Sequence, residues 1–193
     1  MNCLSLLVGL GNPDSRYLQT RHNAGFWFLD EVARRCEVGF VWQPRFGGWV
    51  AKFHCRGEVV HLLKPGQYMN RSGSPVAAYC RYYQISPERI LVAHDELDFA
   101  PGKVRLKWGG GHGGHNGLRD IVEHLKSKQF YRLRIGIGRP ARGSVVDYVL
   151  GRPGEDEEAE IRAGLARAAD CLPKFMEEGP EKAMNLLHSA EEE

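Results

Sequence analysis

The sequence has little of what marks secreted, metal-binding or membrane-spanning proteins. Its 193 residues contain five cysteines, an odd and widely spaced set without a CxxC pair, so neither a disulfide framework nor a zinc site is predicted. No segment approaches the roughly 20 consecutive apolar residues that a membrane-spanning helix requires. The apolar run at the N-terminus is short and lacks a basic leader, so we expect no signal peptide. These absences favour a cytoplasmic protein that does not bind membranes.

Two glycine-rich segments resemble nucleotide-binding loops but lack essential parts of them. Gly9 and Gly11 begin a dinucleotide-binding pattern, yet Asp14 stands where a third glycine is needed and Pro13 interrupts the helix start. The segment 109–117 is rich in glycine but has no GK[ST] ending of the kind that cradles a nucleoside triphosphate. We therefore expect no nucleotide cofactor.

Metal and serine-nucleophile chemistry are also poorly supported. His112 and His115 lie in the second glycine-rich segment without a third ligand motif, which is weak evidence for a metal site. Ser72 and Ser74 do not form a GxSxG elbow, so helix capping explains them better. We expect no bound metal.

Short apolar runs alternate with segments of helical periodicity, which is typical of one α/β domain. We predict strands at 4–8, 49–54, 58–63, 89–94, 103–108 and 131–137, and helices at 23–35, 74–83, 118–125 and 155–178. This order predicts a single domain over 1–193, built as a twisted mixed β-sheet surrounded by helices. A chain of this length can bury a substantial core without disulfides or metals.

The C-terminal third begins with a predicted flexible connector or lid at about 138–151. The acidic helix at about 155–178 follows it and contains Pro173. Because proline removes a backbone donor and clashes with the preceding turn, we expect Pro173 to kink this helix or end it early.

The net charge of +2 conceals two oppositely charged segments. Residues 101–142 contain ten Lys and Arg against two acidic residues, a balance of +8, whereas residues 153–193 contain twelve Asp and Glu against four basic residues, a balance of −8. The basic segment is a candidate surface for a polyanion such as nucleic acid. Charge alone is equally consistent with two solvated faces that have no partner.

Polar residues stand at the edges of the predicted elements, where a site forms in open α/β sheets. They are Asn12, His22, Asn23, Asn70, Asp95 and Asn116. A histidine at a helix N-terminus is kept neutral by the helix dipole and can accept a proton, and an aspartate beside it would fix its tautomer. His22 and Asp95 therefore form a plausible base and orienting carboxylate. Taken singly, they are better explained as a helix-start residue and a turn or cap residue.

A series of motifs gives the chain a closer resemblance to one family. The motifs are VGLGNP (8–13), TRHNAGF (20–26), KPGQYMNRSG (64–73), HDELD (94–98), GGGHGGHNGLRD (109–120) and RLRIGIGRP (132–140). In this order and over most of the chain, they resemble the bacterial peptidyl-tRNA hydrolases. The resemblance implies hydrolysis of the ester between a peptide and the 3′ ribose of tRNA by a monomeric enzyme without metal or cofactor. It also implies that His22 is the general base and that Asp95 supports it.

The same resemblance implies roles in binding the acceptor stem and 3′ end of peptidyl-tRNA. Asn12 would distinguish an N-blocked peptide from a free aminoacyl group, and Asn70 and Asn116 would hold the substrate and order the attacking water. Tyr17, Tyr68 and Met69 would line the channel for the peptide and terminal nucleotide, and Lys107 and Arg134 would clamp the 5′ phosphate.

Two other functions are compatible with parts of the sequence. A non-catalytic RNA-binding protein on the same fold would need neither His22 nor Asp95, and both are present. A general small-molecule esterase would need no basic surface, so the segment 101–142 argues against it. The full set of motifs favours the enzyme that acts on tRNA.

Overall fold

The computed structural model describes residues 3–190, which form one seven-stranded sheet flanked by helices. The strands are β1 (Leu6–Gly9), β2 (Val41–Gln43), β3 (Gly48–Cys55), β4 (Glu58–Pro65), β5 (Ile90–Glu96), β6 (Val104–Trp108) and β7 (Tyr131–Gly136). The helices are α1 (Ala24–Arg35), α2 (Gly73–Tyr83), α3 (Asn116–Leu125), α4 (Val145–Val149), α5 (Glu155–Glu178) and α6 (Pro180–Ser189). Short 3-10 turns at Ser15–Tyr17, Arg21–Asn23, Met69–Arg71 and Pro87–Arg89 complete the secondary structure.

The strands are arranged in the order β2-β3-β4-β1-β5-β7-β6. Strands β4, β1, β5 and β7 are mutually parallel, whereas β2, β3 and β6 add antiparallel edges. The predicted mixed sheet surrounded by helices is confirmed. The predicted domain also included residues 1–2 and 191–193, which lie outside the described part of the chain.

Apolar side chains alternate between the two faces of the sheet and form two cores. Leu7 and Leu91 face α1, α5 and α6, while Leu6 and Val92 face α2 and α3. This alternation is the period of two that a strand imposes. Both faces are covered, as the near-continuous apolar runs of the parallel strands require.

The carboxyl ends of the four parallel strands lie at one edge of the sheet. The chain continues from β1 to Asn12, from β4 to the turn at Met69–Arg71, and from β5 beyond Asp95, while β7 leads to the segment 137–151. Because parallel strands end together, loops far apart in sequence meet at this edge, which is where α/β sheets form their sites.

Three details differ from the sequence-based predictions. Strand β2 and helix α6 were not predicted, and the connector at 138–151 contains the short helix α4. Helix α5 has its predicted bounds and runs through Pro173 to Glu178, so of the two effects expected of the proline an early end is wrong. Phe175 and Met176 lie beyond the proline and are buried in the core. Burying such side chains contributes about 1.5–3 kcal/mol each, which offsets the roughly 3 kcal/mol cost of an internal proline.

None of the helices within residues 3–190 combines the length and apolarity needed to cross a membrane.

Helix α1 approaches the sheet at backbone contact, and glycine makes this possible. A Cβ atom on Gly25 would lie 2.3 Å from the carbonyl oxygen of Ala93 and 2.5 Å from the amide nitrogen of Leu10. A Cβ on Gly9 would lie 2.4 Å from the carbonyl oxygen of Gly25. The first turn of α1 therefore contacts the ends of β1 and β5 directly, and His22 lies just before this turn.

We expect Gly25→Ala to lower the free energy of unfolding by about 1–3 kcal/mol, the usual cost of overpacking a filled core. Urea unfolding measures this change. Gly39→Ala is the control, because a Cβ there has no neighbour within 4 Å. Equal effects of the two substitutions would show that α1 can move off the sheet without cost.

Candidate active site

A cleft of about 620 Å³ opens at the carboxyl edge of the parallel strands. Its size is typical of a ligand site, and its position is the crevice expected in an open α/β sheet. Of the residues named from the sequence, those that line it are Asn12, His22, Tyr68, Met69, Asn70, Asp95, Lys107, Asn116 and Arg134. Nine of the ten predicted site residues therefore meet in one cleft, and Tyr17 is not among its lining residues.

His22 and Asp95 form the pair that the sequence suggested. His22 lies in the 3-10 turn before α1, Asp95 lies near the end of β5, and Nδ1 of His22 is 2.8 Å from Oδ2 of Asp95. A carboxylate can only accept here, so Nδ1 of His22 donates and Nε2 keeps its lone pair. The ring of His22 makes its one hydrogen bond within residues 3–190 through Nδ1, and the side chain lines the cleft.

Burial and charge act in opposite directions on this pair. Burial disfavours the imidazolium of His22, but the carboxylate and hydrogen bond of Asp95 outweigh it, so the pKa of His22 is raised above its ordinary value. Burial likewise opposes the charge of Asp95, but the neighbouring His22 and His115 hold its pKa well below the usual range. The helix dipole was expected to keep His22 neutral, and the carboxylate dominates instead.

His115 is the site residue that sequence reasoning missed. Its Nε2 lies 2.8 Å from Oδ1 of Asp95, and its Nδ1 accepts the backbone N–H groups of Gly117 at 3.2 Å and Leu118 at 3.3 Å. It is the N-cap residue of α3. A nitrogen that accepts two N–H groups must carry the lone pair, so Nε2 carries the proton and donates it to Asp95. The residue was named in the sequence only as a weak metal ligand.

His22, Asp95 and His115 also form the one group within residues 3–190 with a donor set suited to a metal ion. The fit is poor, however. A histidine that binds a metal through one ring nitrogen normally donates a proton from the other, whereas Nδ1 of His115 faces two donors. Its Nε2 is therefore protonated and not available as a ligand. The three side chains are therefore arranged for two hydrogen bonds from histidine N–H groups to the Asp95 carboxylate and not for binding a metal ion.

His94, the residue before Asp95, is another histidine of the cleft. It is buried, and its Nδ1 donates to the backbone carbonyl of Asp95 at 2.8 Å. Burial, assisted by the nearby His115, lowers the pKa of His94 to about 3. His94 therefore stays neutral and adds no charge beside the pair.

Asn12 is held by a reciprocal set of backbone hydrogen bonds. Its backbone N–H and carbonyl bond the buried carboxamide of Asn23, both at 2.9 Å, and its own Oδ1 accepts the N–H of Met69 at 2.7 Å. Because Met69 supplies a donor, Oδ1 is fixed on that side. The Nδ2 donors of Asn12 therefore remain for a ligand in the cleft.

The other polar residues of the cleft are more open. Asn70 and Asn116 are exposed, and Tyr68 is exposed by 51%. Tyr17 lies outside the cleft, where its ring lies 5.0 Å from the guanidinium of Arg16.

Basic residues cover the side of the cleft formed by β6 and β7. Lys107 and Arg132 are directly opposite each other in the antiparallel pair. The guanidinium of Arg132 is bound by the carbonyls of Gly110 and Gly111 and not by a carboxylate. Arg134 instead pairs with Glu96 at 2.6 Å. Of the two predicted clamp residues, Lys107 is exposed and Arg134 is already engaged.

An apolar wall also lines the cleft and is tied to the turn that carries His22. Helix α4 and its end contribute Val145, Val146, Val149 and Leu150 to the cleft lining. Arg21, next to His22, holds this segment through its backbone N–H to Gly151 at 3.0 Å and its guanidinium to the carbonyl of Tyr148 at 3.1 Å and to Glu157 at 2.9 Å.

Comparisons with known proteins agree with this geometry. The family model described as peptidyl-tRNA hydrolase matches residues 6–193. The chain is 48% identical over 187 residues to a peptidyl-tRNA hydrolase of Dichelobacter nodosus (strain VCS1703A), covering 96% of this chain and 99% of that protein.

Solved structures give the same result for the fold. The crystal structure of peptidyl-tRNA hydrolase from Acinetobacter baumannii is similar with a TM-score of 0.91 and 48% identity, covering 97% of this chain and 95% of that one. A complex of peptidyl-tRNA hydrolase with N-propanol is similar with a TM-score of 0.92 and 46% identity at the same coverage. Together with the cleft, these matches show that the chain belongs to the peptidyl-tRNA hydrolases, enzymes that hydrolyse peptidyl-tRNA.

Proposed function

We propose that His22 is the general base of peptidyl-tRNA hydrolysis and that Asp95 orients it. The observation that supports this role is the hydrogen bond from Nδ1 of His22 to Asp95, which leaves a lone pair on Nε2 in a residue that lines the cleft. A water bound at Nε2 would lose its proton as it attacks the ester carbonyl. Asp95 stabilises the imidazolium that forms, and the imidazolium returns its proton to the departing 3′ oxygen of the ribose.

An ester is a reactive acyl donor, so a positioned base and a stabilised oxyanion are sufficient chemistry. No metal is needed to activate the water. Asn70 and Asn116 present carboxamides to the cleft, and their N–H₂ groups are suited to hold the substrate, order the water or meet the oxyanion.

We propose that Asn12 distinguishes an N-blocked substrate from a free aminoacyl group. Its free Nδ2 donors suit a neutral carbonyl of an N-blocked substrate, while a free α-ammonium is itself a donor and would meet another donor. Met69, buried beneath this position, and Tyr68 at the rim would line the channel for the peptide and the terminal nucleotide.

Lys107 and Arg134 are proposed to bind the 5′ phosphate of the acceptor stem. The positions of Lys107 and Arg132 are directly opposite in the register of β6 and β7. Like charges so placed are destabilising, and an anion bound near them would offset this repulsion. Phosphate contacts provide affinity that is independent of sequence. Arg134 would have to share its guanidinium between Glu96 and the phosphate.

We propose that the enzyme acts as a monomer, as the resemblance to the family implies. The cytoplasm, where tRNA is used in translation, is the proposed location. The segment 138–151 is proposed to act as a lid, since helix α4 within it forms part of the cleft wall.

The first experiment is release of N-acetyl-amino acid from N-acetyl-aminoacyl-tRNA in EDTA, with free aminoacyl-tRNA as the control substrate. Selective cleavage of the blocked ester supports the proposed metal-independent reaction. Binding of both substrates without cleavage would instead favour a protein that only binds RNA.

We expect His22→Ala to reduce kcat by about 10²–10⁴-fold, the usual contribution of a general base, while tRNA binding survives. In the unsubstituted enzyme, kcat/KM should fall as pH decreases through the raised pKa of His22, so the acid limb lies above the ordinary histidine value of 6.5. A His22→Ala variant with most of its activity, or an acid limb well below pH 6.5, would contradict the assignment.

Asn12→Asp should weaken discrimination between blocked and free aminoacyl esters. The carboxylate keeps the acceptor for the N–H of Met69 but loses both Nδ2 donors, and it attracts an α-ammonium. The ratio of kcat/KM for N-acetyl-aminoacyl-tRNA to that for aminoacyl-tRNA measures the effect. An unchanged ratio would mean that Asn12 does not read the N-terminus of the substrate.

Lys107→Ala should raise KM and make the reaction less sensitive to salt. Loss of one phosphate contact on a duplex reduces the slope of log affinity against log salt by about 0.9. Lys128→Ala is the matched control, because it removes the same charge from an exposed residue outside the cleft. If both variants change the slope equally, Lys107 contributes only to the general field of the protein.

A further inference from the structure

Asp95 has two carboxylate oxygens, and each is bound by a different histidine. Oδ2 accepts from Nδ1 of His22 and Oδ1 accepts from Nε2 of His115, both at 2.8 Å. The side chain of Asp95 is 3% exposed, so water has little access to either oxygen. The rotation of the carboxylate about its own axis is therefore set by His115 as much as by His22.

The two histidines are not equivalent partners. The tautomer of His115 is fixed from outside the pair, since its Nδ1 accepts two N–H groups at the start of α3. A second proton on His115 would have to occupy Nδ1, where it would face those two donors and the positive end of the helix dipole. Nε2 of His22 faces no such donors among residues 3–190, so a proton gained by the pair goes to His22.

We propose that His115 is a positioning residue for the hydrolysis, acting through Asp95. The cap of α3 fixes the ring of His115, His115 fixes the carboxylate, and the carboxylate fixes the tautomer and direction of His22. This inference rests on the proposed function of His22 as the base, and it gives the cap of α3 a role beyond the stability of that helix.

Two substitutions separate the cap from the contact with Asp95. In His115→Asn the shorter carboxamide keeps an acceptor for the cap, where asparagine is a preferred residue, but it is too short to reach Asp95. In His115→Gln the longer side chain places an N–H₂ group near the position of Nε2 and can still donate to Asp95, while the cap is lost.

We expect opposite effects of these variants on stability and on activity. His115→Asn should keep its thermal midpoint and lose about 10- to 100-fold in kcat, the usual effect of removing an outer hydrogen bond that orients a functional histidine. His115→Gln should have a lower thermal midpoint and recover most of kcat. KM for N-acetyl-aminoacyl-tRNA should change little in either variant.

The pH profile supplies a readout that a purely structural role would not move. Without the donor from His115, the charge of Asp95 acts more fully on His22, so the acid limb of kcat/KM should shift to higher pH in His115→Asn. In His115→Gln the limb should stay near that of the unsubstituted enzyme.

Activity that follows thermal stability, with His115→Asn active and His115→Gln inactive, would overturn the proposal and leave His115 as a helix cap. An unshifted acid limb in His115→Asn would also overturn it. His22→Ala is measured alongside: if it keeps its activity, the general-base assignment fails; if it is inactive while both His115 variants resemble the unsubstituted enzyme, only the positioning role fails.

Discussion

A carboxylate removed from water costs several kcal/mol unless hydrogen bonds replace its hydration. The site depends on how the protein meets that requirement at Asp95. Two imidazole N–H groups, one from the turn before α1 and one from the turn before α3, bind its two oxygens. Replacing either histidine by a smaller side chain would remove the protein partner of one oxygen and leave space for water to hydrate it. The carboxylate therefore joins two distant turns into one unit, and the unpaired nitrogen of His22 is the part of that unit left for chemistry.

The sequence predicts those parts of the structure that depend on local pattern. Apolar runs identify the parallel strands, and polar residues at their ends identify the cleft, because parallel strands end at the same edge. His22 and Asp95 were predicted as a pair although 73 positions separate them. Strand β2 was missed because its three residues are not buried. The bounds of α5 were predicted correctly, but an early end at Pro173 was also considered, because the proline was given more weight than the buried side chains beyond it.

His115 could not have been found from spacing. Its function depends on which ring nitrogen faces the helix start and which faces the carboxylate, and that depends on the path of a glycine-rich loop. The path is fixed by Arg132, whose buried guanidinium binds the carbonyls of Gly110 and Gly111. A loop of this kind has few side chains, so the sequence does not show what holds it. The same lack of side-chain pattern left the state of Arg134 unpredicted, since its pairing with Glu96 appears only in three dimensions.

Arg21 connects the apolar wall of the cleft to the turn that carries His22. It holds Tyr148, Gly151 and Glu157, and the next residue is His22. Moving that wall outward would break these bonds and release the turn that carries His22, the proposed base. The enclosed geometry and the aligned histidine are thus lost together.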